Sequence, residues 1–161
     1  MIAVVQRVAR ARVEVGEEIV GSIERGLCVL LGIERGDDVV AANRMASKLA
    51  ALRIFPDVAY GSAATGKMNR SVRDIGGAIL LVSQFTLAAD TSGGNRPSFT
   101  NAAPPTEAER LYELVSQSLR SAHGLSVALG RFQAHMLVVI ENEGPVTIIL
   151  RSEPAVPRIQ S

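Results

Sequence analysis

Along the first third of the chain, apolar and polar positions alternate or run in short hydrophobic blocks. IAVVQRV, ARVEV, EIVGSIE and LCVLLGI are rich in Val and Ile and are punctuated at Gly16, Gly21, Gly26 and Gly32, so they predict strands. From Asp37 the period lengthens. Asp37 and Asp38 favour a helix start, and Ala42, Met45, Ala46, Leu49 and Leu52 recur at helical spacing up to about Pro56. The polar stretch from Asp57 to Gly77 reads mostly as loop. AILLVSQFTL, from Ala78, is apolar on both faces where it begins, which predicts a central, buried strand.

Asp90 to Pro105 reads as a second loop. A second helix follows, with Thr106 and Glu109 at capping-box spacing and an apolar stripe of Leu111, Leu114, Val115, Leu119 and Ala122. After Gly124 the pattern returns to β in LSVALG, HMLVVIEN and PVTIILR. The order β-rich, helix, β, helix, β-rich predicts an α+β fold: one compact domain with barrel-like sheets covered by two main helices. The domain is expected over residues 1–151, and residues 152–161, with two prolines, read as a weakly ordered tail.

Composition narrows the classes. With 161 residues one core is expected, and because aromatics are 4% and Trp is absent, Val, Ile, Leu and Ala must build it. A net charge of +1 neither demands nor forbids a nucleic-acid partner. Cys28 lies within LCVLL and reads as a buried small hydrophobe; one cysteine permits no internal disulfide. The N-terminal segment reads as strand and not as a signal peptide, and no apolar run approaches the roughly 18 residues of a membrane span. A cytoplasmic protein is expected.

Several motifs compete with plainer readings. GSAATGKM nearly matches a phosphate-binding loop, yet Met68 stands where a hydroxyl should hold the metal and no amphipathic helix follows, so it reads as loop. His123 and His135 have no acidic or thiol partner at ligand spacing, so neither metal nor cofactor is expected. Alternation along HMLVVI turns His135 away from the face of Met136, Val138 and Ile140. SQFTL is more informative. Ser83, Gln84 and Thr86 bring hydrogen-bonding groups to the end of a hydrocarbon strand, where each must bond its own turn or await a ligand. Residue chemistry alone leaves both readings standing. NEGPVT, between two β-forming runs, reads as a turn or as a working surface of backbone.

VSQFTLAADT with GGNRPSF downstream, and NEGPVT after GRFQAHMLVVI, resemble the two signature regions of the D-aminoacyl-tRNA deacylases. MIAVVQRV, GLCVLLGI and ANRMASKLAALRIF followed by GKMNRSV are also similar, so the likeness runs from Met1 to about Arg151. Four features depart from the usual pattern: Leu129 for threonine, His135 for an acid, Glu143 for Asp, and a longer stretch DVAYGSAAT. The resemblance implies a homodimeric editing hydrolase that cleaves the ester of D-aminoacyl-tRNA and spares L-aminoacyl-tRNA. It implies a cis Gly144-Pro145 peptide reaching across the interface into the partner's pocket to exclude an L side chain. Such exclusion leaves glycyl-tRNA as a substrate.

For the chemistry, the resemblance favours hydrolysis assisted by the tRNA terminal 2′-hydroxyl, with Ser83, Gln84 and the Phe85 N–H orienting the ester or stabilising charge. Thr86 is the alternative nucleophile, but no adjacent base is visible. Phe132 and Met136 are candidates for the adenosine pocket or for the core; Arg7 is a candidate to orient the site; Arg10, Arg12 and Arg96 are candidates for phosphate contact. The competing readings are a non-catalytic RNA-binding dimer of the same fold and an esterase using Thr86.

Overall fold

A computed structural model describes residues 1–62 and 66–152. Its elements are β1 (Ile2–Val15), β2 (Glu18–Ile23), β3 (Gly26–Gly32), α1 (Val39–Ala51), β4 (Phe55–Pro56), β5 (Met68–Arg70), β6 (Ala78–Ser83), a 3-10 turn (Phe85–Ala88), α2 (Pro105–Ser121), β7 (Ser126–Leu129) and β8 (Leu137–Arg151). The expected architecture is present: two helices on a strongly curved, nearly closed sheet. The order β2-β1-β3-β6-β7 forms its spine, with β8 alongside β1. β6 runs parallel to both neighbours, β3 and β7. The sheet almost closes where β2 meets β7; a Cβ on Gly21 would lie 2.4 Å from the Leu129 carbonyl oxygen, so only glycine fits.

Alternation along the strands builds two cores. Leu27, Val29, Leu31, Ile79 and Leu81 face the helices and pack with Met45, Leu49, Leu111, Val115 and Leu119. Cys28, Leu80 and Val82 point to the other face, inside the curl, with Val8, Ala11, Val13 and Ile23. β6 is therefore covered on both sides, as its unbroken hydrocarbon run requires. Burial pushes the Cys28 thiol up to about 12, in keeping with its reading as a core residue.

Two β-rich segments that read as separate strands, IAVVQRV and ARVEV, are one strand of 14 residues. A bulge rather than a break joins them. Val8 pairs with Asn142 and Arg10 with Glu141, which leaves one extra residue on β1. That extra residue resets the side-chain parity, so Val8, Ala11 and Val13 all enter the inner core.

The helix starts divide. Asp38 caps α1, its carboxylate accepting the Ala41 N–H at 2.7 Å, while Asp37 accepts from the Met1 amine at 2.7 Å. The expected capping box of α2 is not formed. Pro104 is the cap and Pro105 begins the helix, because a proline with fixed φ suits the first helical position and leaves Thr106 inside the first turn. The stripe also shifts: Tyr112 and Ser116 are buried, whereas Ala122 is exposed at the helix end.

Within the expected loop 57–77, β5 pairs with β4 as a two-stranded ribbon. The stretch GSAATGKM runs into strand β5 and not into a helix, which agrees with rejecting a phosphate loop; its residues 63–65 lie outside those described. So does the expected tail beyond Ser152. Ser152 itself donates to the Met1 and Ala41 carbonyls. No helix among the described residues is long and apolar enough to cross a membrane.

Candidate active site

β6 ends at Ser83, where the chain leaves the sheet for the 3-10 turn. The Gln84 N–H still donates to the Leu31 carbonyl at 2.9 Å, which fixes where the turn begins. Beyond the strand end lies a cavity of about 920 Å³, walled by Ser83, Gln84 and Phe85 on one side and by Phe132, His135 and Met136 on another. Five of the sequence-derived site residues thus share one concavity. Its described lining contains Arg35 and His135 but no Asp or Glu. Whatever reaction occurs there has no carboxylate base in the wall.

Ser83 lines this space, and its hydroxyl makes no side-chain hydrogen bond among the described residues. Phe85 and Thr86 are the first two residues of the 3-10 turn, so their N–H groups have no partner within it. Thr86 is exposed, does not line the cavity, and its hydroxyl accepts from the Gln84 side-chain amide. An amide cannot remove a proton, so this partner does not activate a threonine nucleophile.

Phe132 belongs both to the core and to the cavity wall. Its ring lies 6.0 Å from that of Tyr112, at the edge of the helix-side core, and it also lines the cavity. Tyr112 anchors this wall to β6 by donating to the Leu81 carbonyl at 2.7 Å, and burial raises the pKa of its phenol. Met136 likewise packs on the inner core while lining the cavity. His135 is exposed, and it also lines the cavity together with Met136; β8 begins only at Leu137, so strand alternation does not govern its placement.

Phe99 and Arg35 are site residues that sequence reasoning missed. Phe99 meets the exposed Phe85 ring edge-on at 5.1 Å, and the Arg35 Nε donates to the Thr100 carbonyl at 2.6 Å. An exposed aromatic in GGNRPSF was the available signal.

Gly144 and Pro145 lie elsewhere on the chain, and the peptide between them is cis. The expected turn between two strands is absent: β8 runs unbroken from residue 137 to 151 and pairs with β1 on both sides of the Gly-Pro pair. Gln6 faces Thr147 and Val8 faces Asn142, so Glu143 to Val146 bulge out opposite the single residue Arg7. The bulge has a fixed base. Asn142 Nδ2 donates to the Val146 carbonyl at 3.1 Å, closing the loop on itself. Arg7 is buried and spans the gap, its Nη1 donating to Ile54 O at 2.7 Å and its Nε to Glu143 O at 3.2 Å.

Gly144 has φ +121°, a region that favours glycine, and with Pro145 it is exposed beside a second cleft of about 360 Å³. Within the chain the Gly-Pro bulge and the Ser83 cavity are thus separate. Of the expected phosphate-binding arginines, Arg10 pairs with Glu141 and Arg12 with Glu14, both at 2.6 Å, while Arg96 is exposed.

Comparison with known proteins shows the family. The profile of the family described as "D-Tyr-tRNA(Tyr) deacylase" matches residues 4–151. A D-aminoacyl-tRNA deacylase of Variovorax paradoxus is 58% identical over 151 residues, covering 94% of this chain and 99% of the relative. One from Xanthomonas axonopodis pv. citri is 52% identical with the same coverage. A solved structure named "c-Myc DNA Unwinding Element Binding Protein" aligns with a TM-score of 0.86 at 42% identity, over 95% of this chain and 99% of that one. By fold, by signature residues and by relatedness over nearly its full length, the chain belongs to the D-Tyr-tRNA(Tyr) deacylase family.

Proposed function

We propose that the protein is an editing hydrolase that cleaves the ester between a D-amino acid and tRNA, works as a homodimer, and acts in the cytoplasm where aminoacyl-tRNA is used. The observation that carries this reading is the cavity at the end of β6, with Ser83, Gln84 and Phe85 on its wall and no carboxylate in its described lining. Donors at the strand end and the start of the turn orient the ester and meet the developing oxyanion. With no carboxylate in the described wall and no side-chain hydrogen bond between His135 and Ser83, the terminal 2′-hydroxyl of the tRNA ribose assists attack on its own ester, and Thr86 supports Gln84.

Chirality is read by exclusion. The exposed Gly144-Pro145 main chain, supplied across the dimer interface, occupies the space of an L side chain and leaves room for a D side chain. Two features support a second copy. Among the described elements β8 pairs only with β1, and its Leu137 and Ile149 are 60% and 65% exposed. The separation of bulge and cavity within one protomer also fits a composite site. Glycine has nothing to exclude, so glycyl-tRNA is turned over. Residues 1–151 make up the catalytic unit in this reading.

The name of the structural relative at 42% identity favours one other reading, nucleic-acid binding without catalysis. Deacylation of D-tyrosyl-, L-tyrosyl- and glycyl-tRNA, with and without the terminal 2′-hydroxyl, separates these possibilities. Expected are rapid release of D-tyrosine, measurable release of glycine, spared L-tyrosyl-tRNA, and loss of activity on deoxy substrate with only a modest defect in Thr86→Ala. No release from any ester favours the binding reading. Full activity on deoxy substrate with an inert Thr86→Ala makes Thr86 the nucleophile.

A further inference from the structure

A backbone wedge discriminates only while it is held still, and Arg7 with Asn142 braces one flank of the bulge. The other flank carries Glu143. Its Oε2 is buried without a hydrogen-bond donor, at ion-pair distance from two guanidinium groups: 3.9 Å from Arg7 Nε and 3.8 Å from Arg25 Nε. Arg25 stands in the two-residue connection between β2 and β3. Its Nε and Nη2 are buried with no hydrogen-bond acceptor, and Glu143 is its ion-pair partner among the described residues.

What keeps Arg25 there is aromatic. Its guanidinium carbon lies 5.4 Å from the centroid of the buried Phe55 ring and 4.2 Å from that of the exposed Tyr60 ring. Tyr60 belongs to DVAYGSAAT, in the segment between β4 and β5. It also shares the 360 Å³ cleft with Arg25, Gly144 and Pro145.

We propose that Arg25 and Tyr60 are positioning residues that fix the Gly144-Pro145 bulge through Glu143 and thereby set how strictly L-aminoacyl esters are rejected. The inference rests on the wedge reading. Without the Tyr60 ring the guanidinium is free to swing into solvent. Glu143 then loses half of its charge compensation and turns outward, carrying the Glu143-Gly144 peptide and its contact to Arg7. A displacement of about 1 Å is enough to degrade an arrangement that works by contact.

The test compares wild type, Arg25→Ala, Tyr60→Ala and Tyr60→Phe for kcat/KM on D-tyrosyl- and L-tyrosyl-tRNA, with melting temperatures alongside. Expected is a D-over-L preference reduced about five- to tenfold in both alanine variants. The change comes from faster L-substrate turnover, with D-substrate kcat/KM held within about twofold. Tyr60→Phe, which keeps the ring over the guanidinium, restores wild-type discrimination. The proposal is overturned if wild type discriminates and both alanine variants do so equally well. It is also overturned if both substrates slow in proportion to a fall in melting temperature, or if Tyr60→Phe behaves as Tyr60→Ala. A wild type that spares D-tyrosyl-tRNA sinks the wedge reading itself, and this inference with it.

Discussion

Gly144→Ala probes the bulge most directly. The substitution keeps a φ of +121° that L residues rarely adopt, and it sets a Cβ 2.8 Å from Arg7 Nη2 and 2.9 Å from Val146 Cγ2. Backbone strain of this kind costs about 1–3 kcal/mol. Arg7 must also retreat, weakening its bonds to Ile54 O and Glu143 O, and a hydrogen bond from a charged group contributes about 1.5–3 kcal/mol. If the bulge keeps its place, destabilisation is therefore about 3–5 kcal/mol. For 161 residues that corresponds to a melting temperature lower by about 10 °C. If the bulge yields instead, stability is largely kept but L-tyrosyl-tRNA is no longer spared. Thermal melts and paired deacylation assays distinguish the two. Gly93→Ala is the control, because a Cβ there meets nothing within 4 Å and no unusual φ is involved. A Gly144→Ala protein matching wild type in both melting temperature and D-over-L preference refutes the account of the bulge.

Three further outcomes follow from the scaffold. Asp38→Ala removes the α1 cap and should lower stability by about 1 kcal/mol in denaturant titration, with Asp38→Asn retaining most of it. Burial raises the Cys28 thiol from 9.0 to about 12, so its contribution is intact below pH 9 and is lost as pH rises from 9 to 12. Those three units correspond to about 4 kcal/mol at most. Buried Tyr112 is displaced the same way, so Cys28→Ala should flatten the alkaline decline in stability without abolishing it. Native Cys28 should resist iodoacetamide at pH 8 until the chain unfolds, as followed by mass.

The sequence disclosed the elements because burial dictates periodicity. AILLV could only be a strand covered on both faces, and Leu111, Val115 and Leu119 could only face a core. The signature SQFTL announced a polar strand end, and the structure gives it a cavity to face. What stayed hidden depended on pairings between distant segments. The bulge in β1 left no mark on the alternation, since Arg10 and Arg12 are polar in any register. NEGPVT looked like a reversal because both arms pair with β1, a partner more than 120 residues away. That His135 shares a cavity wall with Met136 was not legible, because it depends on where β8 starts, and strand ends are the least legible feature of a pattern. Arg25 gave no sign at all. Its importance comes from Phe55, Tyr60 and Glu143, which only the folded chain brings to it.

The looped segment in β8 has a consequence for how this chain tolerates changes in length. Everywhere else along that strand, adding or deleting a single residue would turn each following side chain inside out, exposing Leu150 and burying its charged neighbour Arg151. Between Asn142 and Thr147 the ladder is already interrupted, so the segment behaves as an expansion joint: an extra residue there alters the reach of the protrusion and leaves both flanking registers as they are. The same stretch of backbone that presents glycine and proline outward is therefore where projection length can be adjusted without refolding the sheet beneath it.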